Sequence, residues 1–495
     1  MAPFFLMMYL FGDYLAVKLK VKELICRYNL ARTLDFQPVR KFVAPLSAGH
    51  LFASFCLDHF DSLTFALEQF NAIFAKMILR LLGCTVLLTL CASVAEGMSP
   101  FNRVFKKSPK HPVILIPGDA GSQLEANLTG KPSVVHYICS KQTKDYFDLW
   151  LNLQLFTPLV IDCWLDNMML VFNSTTGTTS NMPGVDIRVP GFGGTSTIEY
   201  LDKSMASPGS YFATLVDMMT SWGYTRGKTL QGAPYDWRRA PNELHLYFDA
   251  LKVSIETTYR YHKHKKIVTI AHSMGNVVML YFYHNIVDQE WKDKYIQSHI
   301  SIAAPWGGAM QIVRVFASGY NMNYYRVILP PSKLRPMQRS FTSSAFLFPS
   351  YAVWNDTEVL ASTFEKNYTL ANVEEFFKDI NYTTGYEQYK VAGQMNGKLD
   401  PPGVQLHCIY GTGIDTAEQF SWAKGYFPDY PPLIAYGDGD GTVNRRSAEV
   451  CLRWNESNNK GKRVTTHELP GGEHMEIMSS PAMLELVRKA IYDLL

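Results

Sequence analysis

The chain has 495 residues, 47% of them hydrophobic and 18% charged, a globular balance that excludes a disordered or low-complexity polymer. Nine Lys/Arg and six Asp/Glu fall in residues 1–95, which leaves 38 of each sign in residues 96–495, so the net charge of +3 belongs to the amino-terminal part. A neutral body without a basic stripe excludes nucleic-acid binding.

In chain order, the first readable element begins at Met77. "MILRLLGCTVLLTLCASVAEG" has one Arg, an apolar run from Leu81 to Leu90, and small residues at Ser93 and Ala95. That layout predicts a secretory signal peptide over residues 77–95, and the run is too short for a comfortable membrane span. Residues 1–76 are then expected to be an over-extended gene model or a leader of unknown role, the alternative being an uncleaved anchor.

Of eight cysteines, Cys26, Cys56, Cys84 and Cys91 lie in the part expected to be lost. Cys139, Cys163, Cys408 and Cys451 remain. An even number in an exported chain predicts two disulfides, and the sequentially local pairing, Cys139–Cys163 with Cys408–Cys451, is the most economical of three connectivities. N-x-S/T sequons at Asn127, Asn173, Asn355, Asn367, Asn381 and Asn455 predict glycosylation on surface loops.

Short apolar runs bounded by Gly and Pro read as strands: His111–Gly118, Lys265–Ala271, Ser298–Pro305, Val404–Gly411, Pro431–Thr442 and Arg463–Gly471. Helical periodicity falls between them, at about Ser210–Trp222, Asn242–Lys263, Asn276–Val287 and Ala482–Leu494. The alternation predicts an α/β fold, a mostly parallel sheet with helices on both faces, over residues 96–495. Two stretches break the pattern: an apolar, charge-poor insertion near 139–175 and an aromatic-rich region near 306–400, read as excursions that cap or gate the domain.

In "VTIAHSMGNVVMLYFY" (Val268–Tyr283) a β-type run meets a helical one at Ser273. A serine nucleophile at the carboxyl end of a strand needs a sharp strand-to-helix turn with small residues two before and two after it, here Ala271 and Gly275. The plainer alternative is a serine that caps the helix. In this architecture the acid and then the histidine follow in chain order. "GDGDGTVN" offers Asp438 and Asp440, of which Asp440 lies next to the segment that leads back into ordered structure; a turn or calcium loop is the alternative. "LPGGEHMEIM" offers His474 in a loop after two glycines, against His467 inside a strand pattern. An oxyanion would take the amide of Met274 and that of Asp119 in the glycine-rich loop Pro117–Glu125.

"HPVILIPGDAGSQLEA", "GAPYDWRRAPNE", "AHSMGN", "AAPWGGA", "PPGVQLHCIYGTG", "GDGDGTVN" and "ELPGGEHMEIM" together resemble the lecithin–cholesterol acyltransferase family on its lysosomal phospholipase branch, from about His111 to the C-terminus. The resemblance implies an α/β-hydrolase core, a Ser273–Asp440–His474 triad, oxyanion amides at Asp119 and Met274, and the same two disulfides. It implies that Trp150, Leu151, Leu153, Leu155, Phe156 and Leu159 belong to a membrane-binding subdomain; on composition alone they could equally be core. The activity implied is a phospholipase A and transacylase that passes an acyl group to water or to the primary hydroxyl of ceramide at acidic pH, without metal or organic cofactor. A protonated Asp119 carboxyl, which would not repel the oxyanion, is a candidate source of that pH dependence.

The expected partners are the phospholipid bilayer surface, the lipid donor and the acceptor, the protein acting as a monomer in the lysosome lumen or secreted, peripheral on membranes. The family's plasma enzymes carry a proline-rich tail, whereas this sequence ends in "IYDLL", which favours the lysosomal branch. The alternatives are a secreted lecithin–cholesterol-type acyltransferase, a neutral lipase, or a catalytically dead lipid-binding glycoprotein.

Overall fold

Val113–Ile116 is four apolar residues buried on both faces, as befits an interior strand of a parallel sheet. In the computed structural model, which describes residues 109–205, 209–321, 330–395 and 398–494, this segment is β1. With it run β2 (Leu230–Gly232), β3 (Ile267–His272), β4 (Ile296–Ile302), β5 (Leu406–Thr412) and β6 (Val464–Pro470), in the order β6-β5-β4-β3-β1-β2. Every neighbouring pair is parallel. The expected leader, the signal peptide and their four cysteines lie outside the described residues.

Side chains alternate across the sheet, so each strand feeds two cores. Ile114 and Ile116 of β1 join one core with Phe248, Leu251 and Ile255 of the helix His245–Tyr261 and with Val277 and Val278 of the helix Met274–Asn285. Val113 and Leu115 face the other core, covered by the helices Ala213–Ser221 and Pro481–Ile491. In His245–Tyr261 the buried positions recur at intervals of three and four, the stripe a helix needs to cover a sheet, whereas Met274–Asn285 is buried almost all round.

One expected strand belongs elsewhere. Leu433–Gly439, read as a further sheet strand, pairs antiparallel with Ile414–Ser421 in a separate four-stranded sheet. Its Leu433 and Tyr436 face solvent, which no interior strand of the parallel sheet could tolerate. The place at the sheet edge is taken instead by β2, whose three residues, Leu-Gln-Gly, are too short and too polar to read as a strand.

Both excursions exist as structured parts. In the first, Phe147–Trp150 pairs with Leu124–Leu128, and the helix Val160–Met168 follows, tied back by a Cys139–Cys163 disulfide. The second is largely helical, with Gln311–Ala317, Pro331–Ser340, Val373–Asp379 and Thr383–Gln388. Cys408 in β5 is bonded to Cys451. Five of the sequon asparagines are exposed, but Asn127 is half-buried in a strand flanked on both sides, where its Oδ1 accepts from Thr143 at 2.9 Å. Asn127 is therefore not the surface-loop site its sequon suggested.

Candidate active site

The strand order reverses between β1 and β3, which opens a crevice at the carboxyl ends of the two strands. Ser273 sits there, between β3 and the helix Met274–Asn285, with φ 51° and ψ −130°. A non-glycine residue holds such a backbone only when its surroundings over-determine it. Its N–H donates to the Ile302 carbonyl at 3.0 Å. Its carbonyl accepts from Asn276 Nδ2, also at 3.0 Å, and that amide group donates to the Ile302 carbonyl as well.

Small residues are required here by close approach as much as by strain. A Cβ on Gly275 would lie 2.4 Å from the Pro117 carbonyl oxygen, and one on Gly118 would lie 2.7 Å from Ser273 Cβ. The loop after β1 and the serine turn are thus in backbone contact.

His474 Nε2 lies 3.0 Å from Ser273 Oγ, and its Nδ1 lies 2.8 Å from Asp440 Oδ2. The other carboxylate oxygen of Asp440 accepts the amides of Val443 at 2.6 Å and Thr442 at 3.0 Å. Those bonds replace the water a buried carboxylate would lose. The histidine loop reaches the site because two glycines let backbones cross: a Cβ on Gly411 would fall 1.8 Å from the Gly472 carbonyl oxygen. The His474 amide then donates to the Asp440 carbonyl at 2.9 Å. Asp438, the alternative acid, instead pairs with Arg445 at 2.9 Å and accepts the Gly413 amide. His467, the alternative base, is a strand residue opposite Ile409.

With Nδ1–H directed at Asp440, the Nε2 of a neutral His474 is free to accept the serine proton. Burial opposes charge on this imidazole, but the field and hydrogen bond of Asp440, with Glu473 adding to them, raise its pKa above the ordinary value. Asp119 follows β1 directly. The residue is exposed, but the protein atoms crowded around the carboxyl displace part of its hydration and push it up to about 6, against the hydrogen bond of the Ala120 amide. Among the described residues, neither the Asp119 nor the Met274 amide has an acceptor within the protein.

Sequence reasoning missed a set of buried polar residues behind the serine. Tyr211 and His272 bridge the loop after β1 to the His474 backbone. On the opposite side His299 Nε2 donates to Asn276 Oδ1 at 3.2 Å while its Nδ1 accepts from Thr269 at 2.8 Å. The available signal was a polar residue inside an otherwise apolar run at Asn276; His299, between Ser298 and Ser301, carried none.

The six residues assigned to membrane binding do not share one environment. Leu159 is 49% exposed, whereas Leu151 is 8% exposed, and this corrects its assignment: it packs inward and cannot enter a bilayer. Trp150 turns toward the crevice, donating its indole N–H to the Ala120 carbonyl at 2.7 Å and stacking on Trp164. Leu153 is half-buried, and Leu155 and Phe156 are half-buried against the core. The exposed apolar side chains nearby are Val135, Tyr137 and Ile138, ahead of Cys139.

The family model for lecithin:cholesterol acyltransferase matches residues 146–481. The chain belongs to the lecithin:cholesterol acyltransferase family. Within it, the chain is 47% identical over 382 residues to the lysosomal phospholipase A and acyltransferase of Rattus norvegicus, covering 77% of this chain and 90% of the relative. The corresponding Homo sapiens protein is 45% identical over 409 residues, 83% of this chain and 96% of the relative. A phosphatidylcholine-sterol acyltransferase of Gallus gallus is 42% identical over 375 residues, 76% of this chain and 89% of the relative. Among the described residues of this family member, no helix is long and apolar enough to cross a membrane, and no cluster of His, Cys, Asp and Glu could hold a metal ion.

Proposed function

We propose that the protein is a lysosomal phospholipase A and acyltransferase working through an acyl-enzyme on Ser273. The observation that carries this reading is the continuous hydrogen-bonded line Ser273 Oγ, His474, Asp440, at 3.0 and 2.8 Å, in a family of acyltransferases. Ser273 Oγ attacks the phospholipid ester carbonyl as its proton passes to His474 Nε2, and Asp440 stabilises the imidazolium. The amides of Asp119 and Met274 hold the oxyanion at the positive end of the helix. As the carbon–oxygen bond to the glycerol breaks, His474 returns the proton to the leaving lysophospholipid. In the second half-reaction His474 takes a proton from water or a lipid alcohol, which attacks the acyl-serine and releases a fatty acid or a new ester.

The primary hydroxyl of ceramide is the proposed lipid acceptor. The protein works as a monomer at the bilayer surface, in the lysosome lumen or after secretion, with Leu159 and the exposed residues before Cys139 on the membrane side. The alternatives are a sterol acyltransferase and a neutral lipase. Identity of 45–47% to the lysosomal relatives, against 39–42% to the sterol acyltransferases, supports the lysosomal reading.

Liposomes holding phosphatidylcholine with equal ceramide and cholesterol distinguish these readings. At pH about 6, near the value of Asp119, the expected products are free fatty acid and acylceramide, absent with Ser273→Ala. Acylation of cholesterol with ceramide left untouched would put the protein on the sterol branch.

A further inference from the structure

Behind the crevice, four buried side-chain and backbone groups form one chain of three hydrogen bonds between two loops. The Gly118 amide donates to Tyr211 Oη at 2.9 Å, and Tyr211 Oη lies 2.6 Å from His272 Nδ1. His272 Nε2 lies 2.9 Å from the His474 carbonyl oxygen.

The direction of every bond is fixed by the end groups. A carbonyl can only accept, so Nε2 of His272 carries the proton; Nδ1 must then accept, and Tyr211 donates to it while accepting from the Gly118 N–H. His272 and Tyr211 are 1% and 6% exposed, and no bulk water is placed to substitute for a missing partner. The packing is as specific as the bonding. A Cβ on Gly121 would lie 2.9 Å from the Tyr211 ring, and the rings of Tyr211 and His272 meet edge to face at 5.5 Å.

One end of this chain is the residue next to Asp119, and the other is His474 itself. The His474 backbone is therefore held at both polar groups, its N–H by the Asp440 carbonyl and its C=O by His272. We propose that Tyr211 and His272 are positioning residues that lock the loop bearing the Asp119 amide to the loop bearing His474, and so fix the oxyanion donor and the general base relative to Ser273. This inference rests on the acyl-enzyme reading above. Neither side chain touches the ester: they act through Gly118 and through the His474 backbone.

Three variants test the relay. Tyr211→Phe keeps the ring and deletes the hydroxyl. His272→Gln keeps a donor at the place of Nε2, and His272→Leu keeps none. Each is measured for thermal unfolding, for kcat and KM on phosphatidylcholine liposomes, and for the rate of inactivation by a fluorophosphonate, which needs the nucleophile, base and oxyanion donors but no lipid surface. Misplacing such groups by a fraction of an ångström to 1 Å costs about 10- to 100-fold.

The expected result for folded Tyr211→Phe is a loss of about tenfold or more in kcat and in inactivation rate together, with KM unchanged. His272→Leu should lose more, and His272→Gln should recover part of that loss. A folded Tyr211→Phe or His272→Leu that inactivates at the wild-type rate would overturn the relay and leave the acyl-enzyme reading intact. Losses confined to thermal stability or to KM would overturn it too. Wild-type protein that the reagent fails to label at Ser273 would overturn both.

Discussion

At the scale of single residues, the chemistry turns on protons held by three side chains. His474 must be neutral to accept the Ser273 proton, and Asp440 raises its pKa, so this group limits activity on the acid side. Asp119 works in the opposite sense. Its carboxyl, pushed up to about 6, is neutral below that pH and becomes an anion beside the oxyanion donors above it. The two effects leave a bell-shaped profile whose alkaline limb belongs to Asp119. Asp119→Asn keeps the backbone amide and removes the charge. The expected outcome is loss of the alkaline limb in kcat/KM, with activity at pH 7.5 raised about tenfold or more relative to wild type. An unchanged limb would show that another group controls it.

At the scale of elements, the central strands carry titratable groups that no surface charge explains. His272 ends β3, His299 lies in β4 and His407 in β5. Burial, reinforced by the field of His474 on His272 and of His407 on His299, pulls the pKa of the first two down to about 3; burial, with His467 and Arg463, pulls His407 down to about 4. The unfolded chain takes up these protons near pH 6.5 and the folded one does not. Stability is therefore full above pH 6.5 and falls progressively below it, each histidine costing about 1.4 kcal/mol per pH unit until its folded pKa is reached. His474, raised rather than lowered, works against this slope. Thermal unfolding between pH 7 and pH 4.5 should show a falling Tm, and His299→Gln should flatten the fall. A Tm that rises on acidification would mean these histidines are already charged in the fold.

The same strands mark the limit of what sequence could tell. The run that became β1 is wholly apolar and that of β3 nearly so, which made their burial legible; β4 and β5 carry polar residues among the apolar ones, and β6, with Thr, His and Glu, is at most half-buried. Leu433–Gly439 opens on a similar apolar run, Leu433 to Tyr436, but stands on a solvent-facing sheet, because composition does not encode which neighbour a strand finds. Ser273, Asp440 and His474 were legible because each stands on a glycine-marked loop in a fixed chain order. Tyr211 and His272 were not, since their partners are backbone groups brought near only by folding. Leu151 was misassigned for a related reason: an apolar run does not say which of its side chains turn inward.

At the scale of the molecule, a parallel sheet with a reversed strand order opens a crevice, and the loops that meet there bring Ser273, His474 and Asp440 into one hydrogen-bonded line. The apolar insertion closed by Cys139–Cys163 is tied to the loop after β1 by the bond from Trp150 to Ala120, so the excursion and the crevice share a wall. All of this presumes a covalent intermediate on one serine. The direct measurement is peptide mass spectrometry of the protein quenched in acid during turnover of phosphatidylcholine. The account predicts a fatty-acyl ester on the peptide containing Ser273, lost when ceramide or time is allowed to discharge it and never formed by Ser273→Ala. Product formation with no acyl-peptide, or with the acyl group on another residue, would contradict it.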